Sequence, residues 1–451
     1  MRTISLHDTR SGQLRALQPT HSGRVRIYAC GPTVYGRIHV GNARPFVVFA
    51  LLKRFLAHEG YDVTLVANIT DVNDKIYAAA QARGVASDEL AREMIAAYLA
   101  DTELLGLGRP DHEPLASETM GPIIELIERL IELGHAYPAD GDVYFSVRSY
   151  PEYGELSHRN IDQMDQGEGV EGASRKHDPL DFALWKGRKA GEDTSWDSPW
   201  GPGRPGWHIE CSAMAEQLLG VEFEIHGGGS DLIFPHHENE AAQTRAAHGA
   251  PLARLWMHNG MVRLDSKKMS KSVGNVFALH EALAAHGRDA LLMYFLGGHY
   301  HQPIEFDDDR LNEAGAAAKR IREAGRDLTE GASPAWSAPM RQRFLEALAN
   351  DFNTPRALAV VFEWVRRANR APAASVGDAD LREMLSVFAL ENLLQADETE
   401  VPLKAIRLLE ARRRARADRD FAEADRIREQ LRSLGWEVRD GPDGPELLPT
   451  R

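Results

Sequence analysis

Hydrophobic and polar positions near the start of the chain predict a strand, a helix and a second strand. Residues 25–30 have strand propensity and end at a Gly-Pro turn signal, and residues 62–67 predict a second strand. The stretch from about Asn42 to His58 between them predicts a helix, with Asn42 as its N-cap. Strand–helix–strand at this spacing is the unit from which parallel sheets are built. Because ligands bind beyond the carboxyl ends of parallel strands, we expect the segment after residue 30 to border a site.

The rest of the chain divides where the pattern changes. An amphipathic helical stretch at 122–133 and a strand-like run at 142–147 interrupt the sheet pattern, which returns at 220–225. From about residue 303 to 394 the chain has helical periodicity, and a polar linker then precedes a small terminal module. We therefore expect an α/β fold: a parallel-sheet domain with an insertion, followed by an all-α helical bundle and a small C-terminal module. The predicted divisions are the first half of the sheet domain at 1–110, the insertion at 111–195, the second half at 196–255, a connecting region at 256–310, the bundle at 311–395 and the terminal module at 396–451.

Charge and cysteine count narrow the class of protein. The chain of 451 residues has 53 Lys and Arg against 67 Asp and Glu, a net charge of −14. This charge argues against a protein that coats nucleic acid with its whole surface and against one that binds a membrane surface. The apolar run at 46–52 is too short to span a bilayer, and the first residues lack the apolar core of a signal peptide. The two cysteines, Cys30 and Cys211, exclude a disulfide scaffold and make a reducing cytoplasm the expected compartment.

A first motif suited to phosphate joins the first strand to the first helix, from Pro32 to Asn42. Gly41 allows close approach of the backbone to a ligand, and the helix start offers free N–H groups to a phosphate. His39 adds a donor for a phosphate oxygen. By itself this turn is a weak signal, since a lone histidine in a turn is more often structural.

A second motif, Lys-Met-Ser-Lys-Ser at 268–272, lies more than two hundred residues later. Its two lysines, Lys268 and Lys271, are three residues apart on a predicted loop. Cations on such a loop stabilise a transition state whose negative charge is spread over phosphate oxygens. A pair of lysines alone would be explained as part of an exposed loop. This five-residue string, in a chain that also has the first motif, is far more specific.

Together the two motifs resemble the HIGH and KMSKS signatures of class I aminoacyl-tRNA synthetases, with Val40 for the usual Ile and Asn42 for the second His. Further strings resemble cysteinyl-tRNA synthetases, and this similarity runs along most of the chain. The strings are Cys-Gly-Pro-Thr-Val-Tyr at 30–35, Trp-His-Ile-Glu-Cys-Ser at 207–212, His-Gly-Gly-Gly-Ser-Asp-Leu at 226–232, Phe-Pro-His-His-Glu-Asn-Glu at 234–240 and Asp-Phe-Asn-Thr-Pro at 351–355.

The resemblance implies a Rossmann-like catalytic domain, a region at 256–310 that contacts the tRNA stem and a terminal module that binds the anticodon. It implies ATP-dependent activation of L-cysteine to cysteinyl-adenylate and transfer to tRNA(Cys), with ATP and Mg²⁺ as substrate and counter-ion. We expect a cytoplasmic monomer without membrane contact. The implied residues are His39, Lys268 and Lys271 for catalysis, Gly41, Asn42, Gly228, Asp231 and Lys271 for ATP, and Thr70 and Trp207 for the amino acid.

Thiol, imidazole and carboxylate groups in these strings suit a metal. Two thiolates with one imidazole and one carboxylate form a plausible zinc shell, because soft thiolates favour zinc over magnesium. On the helix predicted to start at Pro235, His236 and Glu240 are four residues apart and share a face, although His237 with Glu240 would serve nearly as well. The resemblance implies one zinc ion per chain, held by the matching positions Cys30, Cys211, His236 and Glu240.

Zinc would explain how cysteine is distinguished from serine. A hydrophobic pocket discriminates poorly between cysteine and serine, which differ only by sulfur in place of oxygen. Zinc, by contrast, binds thiolate strongly and lowers the pKa of a thiol. In the family the substrate adds a ligand to the four from the protein, so we expect one protein ligand, Glu240, to be weak or long. A purely structural zinc site is the alternative.

The tail carries the predicted RNA contacts. Residues 404–416 hold six basic side chains and one acidic one, a local charge of +5 in an acidic protein. Such a run is often a solvated helix face, but phosphate binding needs this local density of cations. Arg428 and Trp436 are expected to bracket unstacked anticodon bases. The predicted tRNA-binding residues are Arg413, Arg428, Trp436 and Asp440, although the end of the chain departs from the family pattern after residue 444.

Two other functions compete with this interpretation. The first is a cysteine ligase that has the same catalytic domain but an aminosugar acceptor; the basic tail favours tRNA instead. The second is a non-catalytic zinc- or RNA-binding paralogue. The presence of both phosphate motifs argues against it, because a binding module has no use for them.

Overall fold

The computed structural model describes residues 2–163, 174–264, 267–268, 276–395, 403–417, 420–441 and 444–449. The chain forms two compact units, 1–394 and 395–451. The predicted catalytic residue Lys271 lies outside the described residues, as do the side chains of Lys268 and Asp440. Within the described ranges, no helix has the length and apolar character that crossing a bilayer requires.

The first unit contains thirteen of the described strands and twelve of the described α-helices. The strands are β1 Ser5–Asp8, β2 Gln13–Ala16, β3 Arg24–Ala29, β4 Asp62–Ala67, β5 Ala136–Ala139, β6 Asp142–Phe145, β7 Phe182–Gly187, β8 Gly203–Pro205, β9 Phe223–Gly229, β10 Ala253–Asn259, β11 Val262–Leu264, β12 Lys267–Lys268 and β13 Ile304–Glu305. The helices are α1 Val40–His58, α2 Asp74–Arg83, α3 Ser87–Glu103, α4 Met120–Glu132, α5 Trp207–Leu219, α6 Glu238–His248, α7 Leu279–His286, α8 Arg288–Gly297, α9 Asp308–Gly325, α10 Ala338–Ala349, α11 Thr354–Ala368 and α12 Ala379–Val387.

A four-stranded parallel sheet in the order β10-β9-β3-β4 forms the centre of the unit. The strands predicted at 25–30 and 62–67 are confirmed as β3 and β4, and α1 connects them as predicted. Helix α1 begins at Val40, earlier than expected, and its N-cap is His39 rather than Asn42. That prediction was wrong because the imidazole of His39 serves as the capping acceptor, which sequence preference assigns to Asn.

The insertion builds its own small core. Strands β5 to β8 form an antiparallel sheet, against which α4 packs. The predicted helix at 122–133 is confirmed as α4, whose buried face includes Ile123 and Ile127. Phe145 and Trp185, both fully buried, complete this core on the strand side. The insertion is therefore a folded layer with a core separate from that of the parallel sheet.

Helices α9 to α12 share one continuous hydrophobic core with the parallel sheet and α1. Phe55 of α1 contacts Phe352, with ring centroids 6.1 Å apart, and both side chains are buried. The turn that contains Phe352 thereby anchors the helical region to the sheet domain. This shared core explains why the predicted bundle and the sheet domain form one compact unit.

The second unit consists of α13 Leu403–Ala417, α14 Phe421–Ser433, β14 Trp436–Gly441 and β15 Gly444–Pro449, with the two strands paired antiparallel. Ile427 and Leu431 on α14 pack with Trp436 and Val438 on β14 in its core. These apolar contacts hold the hairpin against the helices.

A buried carboxylate ties β9 to β3, and it gives a prediction about pH. Glu224 accepts hydrogen bonds from the backbone N–H groups of Arg26 and Thr20, both at 2.9 Å, and from their side chains. Burial alone raises the pKa of Glu224, but these hydrogen bonds lower it from 4.5 to about 2. The stabilisation is therefore complete above pH 4.5 and is lost as the pH falls towards 2.

We expect Glu224→Gln to lower the free energy of unfolding at neutral pH, with a difference from the wild type that narrows as the pH falls from 4.5 towards 2. Urea unfolding at a series of pH values measures this difference. A difference that stays constant across this range would contradict the assignment.

Candidate active site

Three chain segments meet beyond the carboxyl ends of the parallel strands. The backbone N–H of Cys30, just after β3, donates to the carbonyl of Gly227 on β9 at 2.9 Å. The N–H of Thr70, after β4, donates to the carbonyl of Pro32, and the N–H of Val34 donates back to Thr70, both at 3.1 Å. The edge at which the sequence predicts a site therefore carries the segments that contain Cys30 and Thr70.

His39 is held at the start of α1 by a reciprocal cap. Its Nδ1 accepts from the backbone N–H of Asn42, and the Asn42 side chain accepts from the backbone N–H of His39, both at 3.3 Å. A Cβ on Gly41 would lie 2.9 Å from the imidazole, so glycine leaves room for the capping ring. Because Nδ1 is an acceptor, the neutral imidazole carries its proton on Nε2, which makes Nε2 the donor nitrogen of the ring.

The first signature motif is joined to the segment that follows the second one. The N–H of Val40 donates to the carbonyl of Phe277 at 3.0 Å, and the N–H of Leu279 donates to Ile38 at 3.1 Å. On the other side of the second motif, Lys268 in β12 pairs with Arg263 in β11. The backbone that follows the second motif is thus hydrogen-bonded to the segment that carries His39.

Cys30, Cys211, His236 and Glu240 converge in one buried cluster, where each offers a ligand atom within 4.8 Å of the others. The sulfur atoms of Cys30 and Cys211 are 3.8 Å apart, and Oε1 of Glu240 lies 3.6 Å from the sulfur of Cys30. Nε2 of His236 is 3.0 Å from the same carboxylate oxygen. Residues from the sheet edge, α5 and the turn into α6 are brought together, although they are widely separated in sequence.

Two of these three separations fit a tetrahedral zinc shell. Zinc–sulfur bonds of about 2.3 Å and zinc–oxygen bonds of about 2.1 Å place two sulfur ligands about 3.8 Å apart and a sulfur and an oxygen about 3.6 Å apart. The Cys30–Cys211 and Cys30–Glu240 separations match both values. The donor set of two sulfurs, one nitrogen and one oxygen is also the type that zinc prefers. The His236–Glu240 separation of 3.0 Å is shorter than two ligands of one ion require, and it corresponds to an ion pair.

The protonation of the cluster follows from its burial and its own charges. The thiol of Cys30 donates to Cys211, which lowers the pKa of Cys211 to about 6, whereas burial raises the pKa of Cys30. Burial alone would lower the pKa of His236, but Glu240 and Cys211 raise it to about 10. A metal ion that binds here must displace the protons of Cys30 and His236.

A second set of four residues shares two members with the first. His226 and His237 also place ligand atoms within 4.8 Å of Cys30 and Glu240. The sequence alone left His236 and His237 nearly equivalent, and the structure shows how they differ. His237 lies 3.2 Å from Cys30 through Nε2, with Nδ1 against His258 at 2.6 Å, and the set that contains it has a single thiol. The softer donor set, with both cysteines, is the one that contains His236.

A supporting layer of histidines surrounds the cluster, and the sequence analysis did not predict it. Nδ1 of His208 lies 2.8 Å from Nδ1 of His236 and orients that ring. Nε2 of His226 is 2.7 Å from Oε2 of Glu240, so the carboxylate charge is already shared with an imidazole. Burial raises the pKa of Glu240, but His226 and His236 together hold it well below its usual value. The density of histidine in the strings at 207–212 and 226–237 was the available signal.

The remaining predicted substrate residues lie in different surroundings. The indole of Trp207 stacks on His236, with ring centroids 4.3 Å apart, which places it beside the cluster. Thr70 is buried and its hydroxyl accepts from the side chain of Asn68 at 3.2 Å. At Gly228 a Cβ would lie 3.0 Å from Leu232 and 3.1 Å from His237, so packing within the protein already requires glycine there.

Three family models match consecutive parts of the chain. The model described as "tRNA synthetases class I (C) catalytic domain" matches residues 16–316, and a DALR domain matches 343–393. The model of a cysteinyl-tRNA ligase anticodon binding domain matches 398–445. The cysteine–tRNA ligase of Halorhodospira halophila is 46% identical over 99% of this chain and 100% of its own length. The chain belongs to the cysteine–tRNA ligase family.

A second family member, the cysteine–tRNA ligase of Pseudothermotoga lettingae, is 45% identical over 98% of both chains. Solved structures of other synthetases share the fold at low identity. A methionyl-tRNA synthetase of Mycobacterium tuberculosis aligns with a TM-score of 0.59 and 18% identity, covering 82% of this chain and 90% of its own. A LeuRS of Agrobacterium radiobacter K84 aligns with a TM-score of 0.63 and 11% identity, covering 85% and 86%. The Rossmann-like class I fold predicted from the sequence is confirmed.

The predicted tRNA-binding residues fall in different environments of the terminal unit. Arg413 is exposed on α13, and Arg428 is partly buried on α14. Asp440 pairs with Pro445 in the hairpin through its backbone. Trp436 is 5% exposed and packs in the core of the unit. Its stacking on an anticodon base stays a prediction, and this burial leaves little of the side chain exposed for it.

We expect Trp436→Ala to destabilise the terminal unit by about 3–5 kcal/mol, the usual cost of deleting a buried large aromatic side chain. Hydrogen exchange of the full chain measures the effect as lost protection in peptides from 403–449 and unchanged protection in the parallel sheet. Arg413→Gln, at an exposed position on α13, is the control. Full protection in Trp436→Ala combined with weakened tRNA binding would instead support stacking of Trp436 on an anticodon base.

Proposed function

We propose that the chain activates L-cysteine with ATP to form cysteinyl-adenylate and transfers the cysteinyl group to tRNA(Cys). Membership of the cysteine–tRNA ligase family is the observation that carries this proposal. Mg²⁺ accompanies ATP as counter-ion, and we expect the protein to act as a cytoplasmic monomer. The anticodon side of the tRNA is assigned to the terminal unit through Arg413, Arg428 and Asp440.

In this proposal the buried cluster holds a zinc ion through Cys30, Cys211, His236 and Glu240. A bound zinc ion would supply a soft Lewis acid that takes the substrate thiolate in preference to the hydroxyl of serine. The sulfur separation of 3.8 Å and the two-thiol donor set support the assignment. Because Glu240 shares its charge with His226, it is the weakest of the four donors and the one able to yield as substrate enters.

Residues beside the cluster position the amino acid. Trp207, stacked on His236, forms an apolar wall beside the metal-binding atoms. We assign Thr70 to the amino group of the substrate, because it lies on the segment that pairs with Pro32 at the sheet edge. The substrate carboxylate then attacks the α-phosphate of ATP in line, and pyrophosphate leaves.

Charge on the polyphosphate is stabilised by the two signature motifs. His39 offers its Nε2 proton to a phosphate oxygen, and Lys268 and Lys271 supply the cations. The start of α1 at Gly41 and Asn42 adds backbone donors. Gly228 and Asp231 are assigned to the nucleoside, where exposed Asp231 is able to accept from a ribose hydroxyl.

One pair of assays tests the proposed function. We expect cysteine-dependent ATP–pyrophosphate exchange, followed by transfer of labelled cysteine to total tRNA. Exchange without transfer to tRNA would indicate the aminosugar ligase, and absence of exchange would indicate the non-catalytic paralogue.

A further inference from the structure

A group of two histidines and one aspartate, with no member in the thiol cluster, lies where the sheet domain meets the helical region of the first unit. His299 and His301 follow α8, and Asp351 lies in the turn between α10 and α11. Each offers a ligand atom within 4.8 Å of the others. Nε2 of His299 is 3.6 Å from Oδ2 of Asp351, and Nδ1 of His301 is 3.5 Å from the same oxygen. Two imidazoles thus face a single carboxylate oxygen.

The Asp351 carboxylate is oriented by its other oxygen. Oδ1 accepts from the hydroxyl of Tyr300 at 2.7 Å and from the backbone N–H of His7 at 2.8 Å. These two hydrogen bonds occupy Oδ1 and leave Oδ2 directed at His299 and His301. Carboxylates that bind metal ions are held by supporting hydrogen bonds of this kind.

The backbone that presents Asp351 is strained. Asp351 has φ of 63° and Phe352 has φ of 43°, a conformation that residues with side chains adopt rarely. The N–H of Asp351 donates to the carbonyl of Ser5 at 2.8 Å, which fixes the turn to β1. Strained backbone of this kind is concentrated at functional sites, where the surrounding structure maintains it.

The two imidazoles make only long contacts with Asp351. Their nitrogens lie 3.6 and 3.5 Å from Oδ2, beyond good hydrogen-bond distance, and Nδ1 of His301 is buried without a hydrogen-bond partner among the described residues. Burial lowers the pKa of His299, as does the charge of His301, and burial lowers the pKa of His301 more than Asp351 raises it. Arg44, which donates to the carbonyl of His299 at 3.0 Å, and His7 add to the lowering. Neutral imidazole is the form that binds metal ions.

We propose that His299, His301 and Asp351 bind a second ion, a divalent transition metal such as Zn²⁺, through two imidazole nitrogens and one carboxylate oxygen. Bonds of about 2.1 Å in tetrahedral geometry place a nitrogen and an oxygen ligand about 3.4 Å apart, close to both observed separations. Imidazole donors favour zinc, nickel, copper and iron over magnesium and calcium.

The bound ion ties three parts of the first unit together. Its ligands join the segment after α8 to the turn before α11, and the contacts of Asp351 with His7 and Ser5 extend the connection to β1. Because the ligands are brought together only in the folded chain, binding stabilises the folded state by mass action. The melting temperature therefore rises as this site fills.

Titration with Co²⁺ of full-length protein that holds one equivalent of Zn²⁺, in the thiol cluster, tests the proposal. We expect one further equivalent to bind with d–d absorption but without thiolate-to-cobalt charge transfer, since no sulfur lies in this group. His301→Gln should weaken that binding by at least about tenfold, because loss of even a supporting group costs this much. His21→Gln, at an exposed histidine elsewhere in the unit, should leave the titration unchanged.

A second variant tests the proposal in case His301→Gln does not fold. Tyr300→Phe retains all three ligands but removes the hydroxyl bond to Oδ1, and we expect it to weaken Co²⁺ binding about tenfold. Absence of a further equivalent in the wild-type protein, or equal binding by His301→Gln and the wild type, would overturn the proposal. Since the readout excludes thiolate bands, either result leaves the proposed function untouched.

Discussion

Lys271→Ala should reduce cysteinyl-adenylate formation about 10²–10³-fold, the usual effect of removing one group that stabilises transition-state charge. The reason is that the second signature motif supplies cations to the polyphosphate, whereas the metal-binding atoms belong to other parts of the chain. ATP–pyrophosphate exchange measures the loss, and the metal content of the purified protein should stay unchanged.

Lys319→Ala is a matched control for this substitution. Lys319 lies on α9 with 76% of its side chain exposed and a distant Glu323 as its ion-pair partner at 4.0 Å. Its replacement removes the same charge from a helix surface and should leave exchange at the wild-type rate. Exchange close to wild type in Lys271→Ala would remove this lysine from the catalytic assignment.

Cys211→Ser should lose bound metal and cysteine activation together, with kcat/KM for cysteine lower by more than about 100-fold. The substitution keeps the shape of the side chain but replaces a soft donor with a smaller one that binds zinc poorly. Cobalt-substituted protein gives a direct readout, because the thiolate charge-transfer bands of the wild type should be lost. Cys30→Ser should behave in the same way, since its sulfur lies 3.8 Å from that of Cys211.

Hydrogen exchange distinguishes loss of the metal from unfolding of the chain. Peptides of α9 to α12 should keep their hydrogen-exchange protection in Cys211→Ser, because the core that these helices share with α1 does not include this residue. A variant that retains metal but loses activation would assign Cys211 to substrate binding rather than to the metal shell. A variant that loses metal but activates cysteine normally would make the site purely structural.

Local patterns predicted the elements that position the site. Strand β4 begins and ends at the predicted residues 62 and 67, and the order of β3, α1 and β4 correctly placed Cys30 and Thr70 at one sheet edge. The N-cap of α1 was wrong because His39, a residue with weak intrinsic capping preference, is fixed by its reciprocal bond with Asn42. Helix α6 begins at Glu238, later than the Pro235 start predicted, since a π-helical turn with non-helical Phe234 precedes it.

Contacts between distant segments account for most of what sequence reasoning missed. Nothing near Asp351 in the sequence indicates that it meets His299 and His301, because that contact depends on how the helical region packs on the sheet domain. The same holds for His258, which reaches His237 only because β10 lies beside β9. The core position of Trp436 was not predicted, because aromatic character indicates a core position and a base-stacking position equally well.

In the proposed function a metal held in the thiol cluster binds the substrate sulfur directly. Absorption spectra of the cobalt-substituted protein, recorded with cysteine and then with serine, test it most directly. We predict that saturating cysteine strengthens the sulfur-to-cobalt charge-transfer bands, because a third sulfur joins those of Cys30 and Cys211, and that serine leaves the spectrum unchanged. Identical spectra with cysteine, with serine and without either, under conditions in which cysteine is bound, would contradict the account.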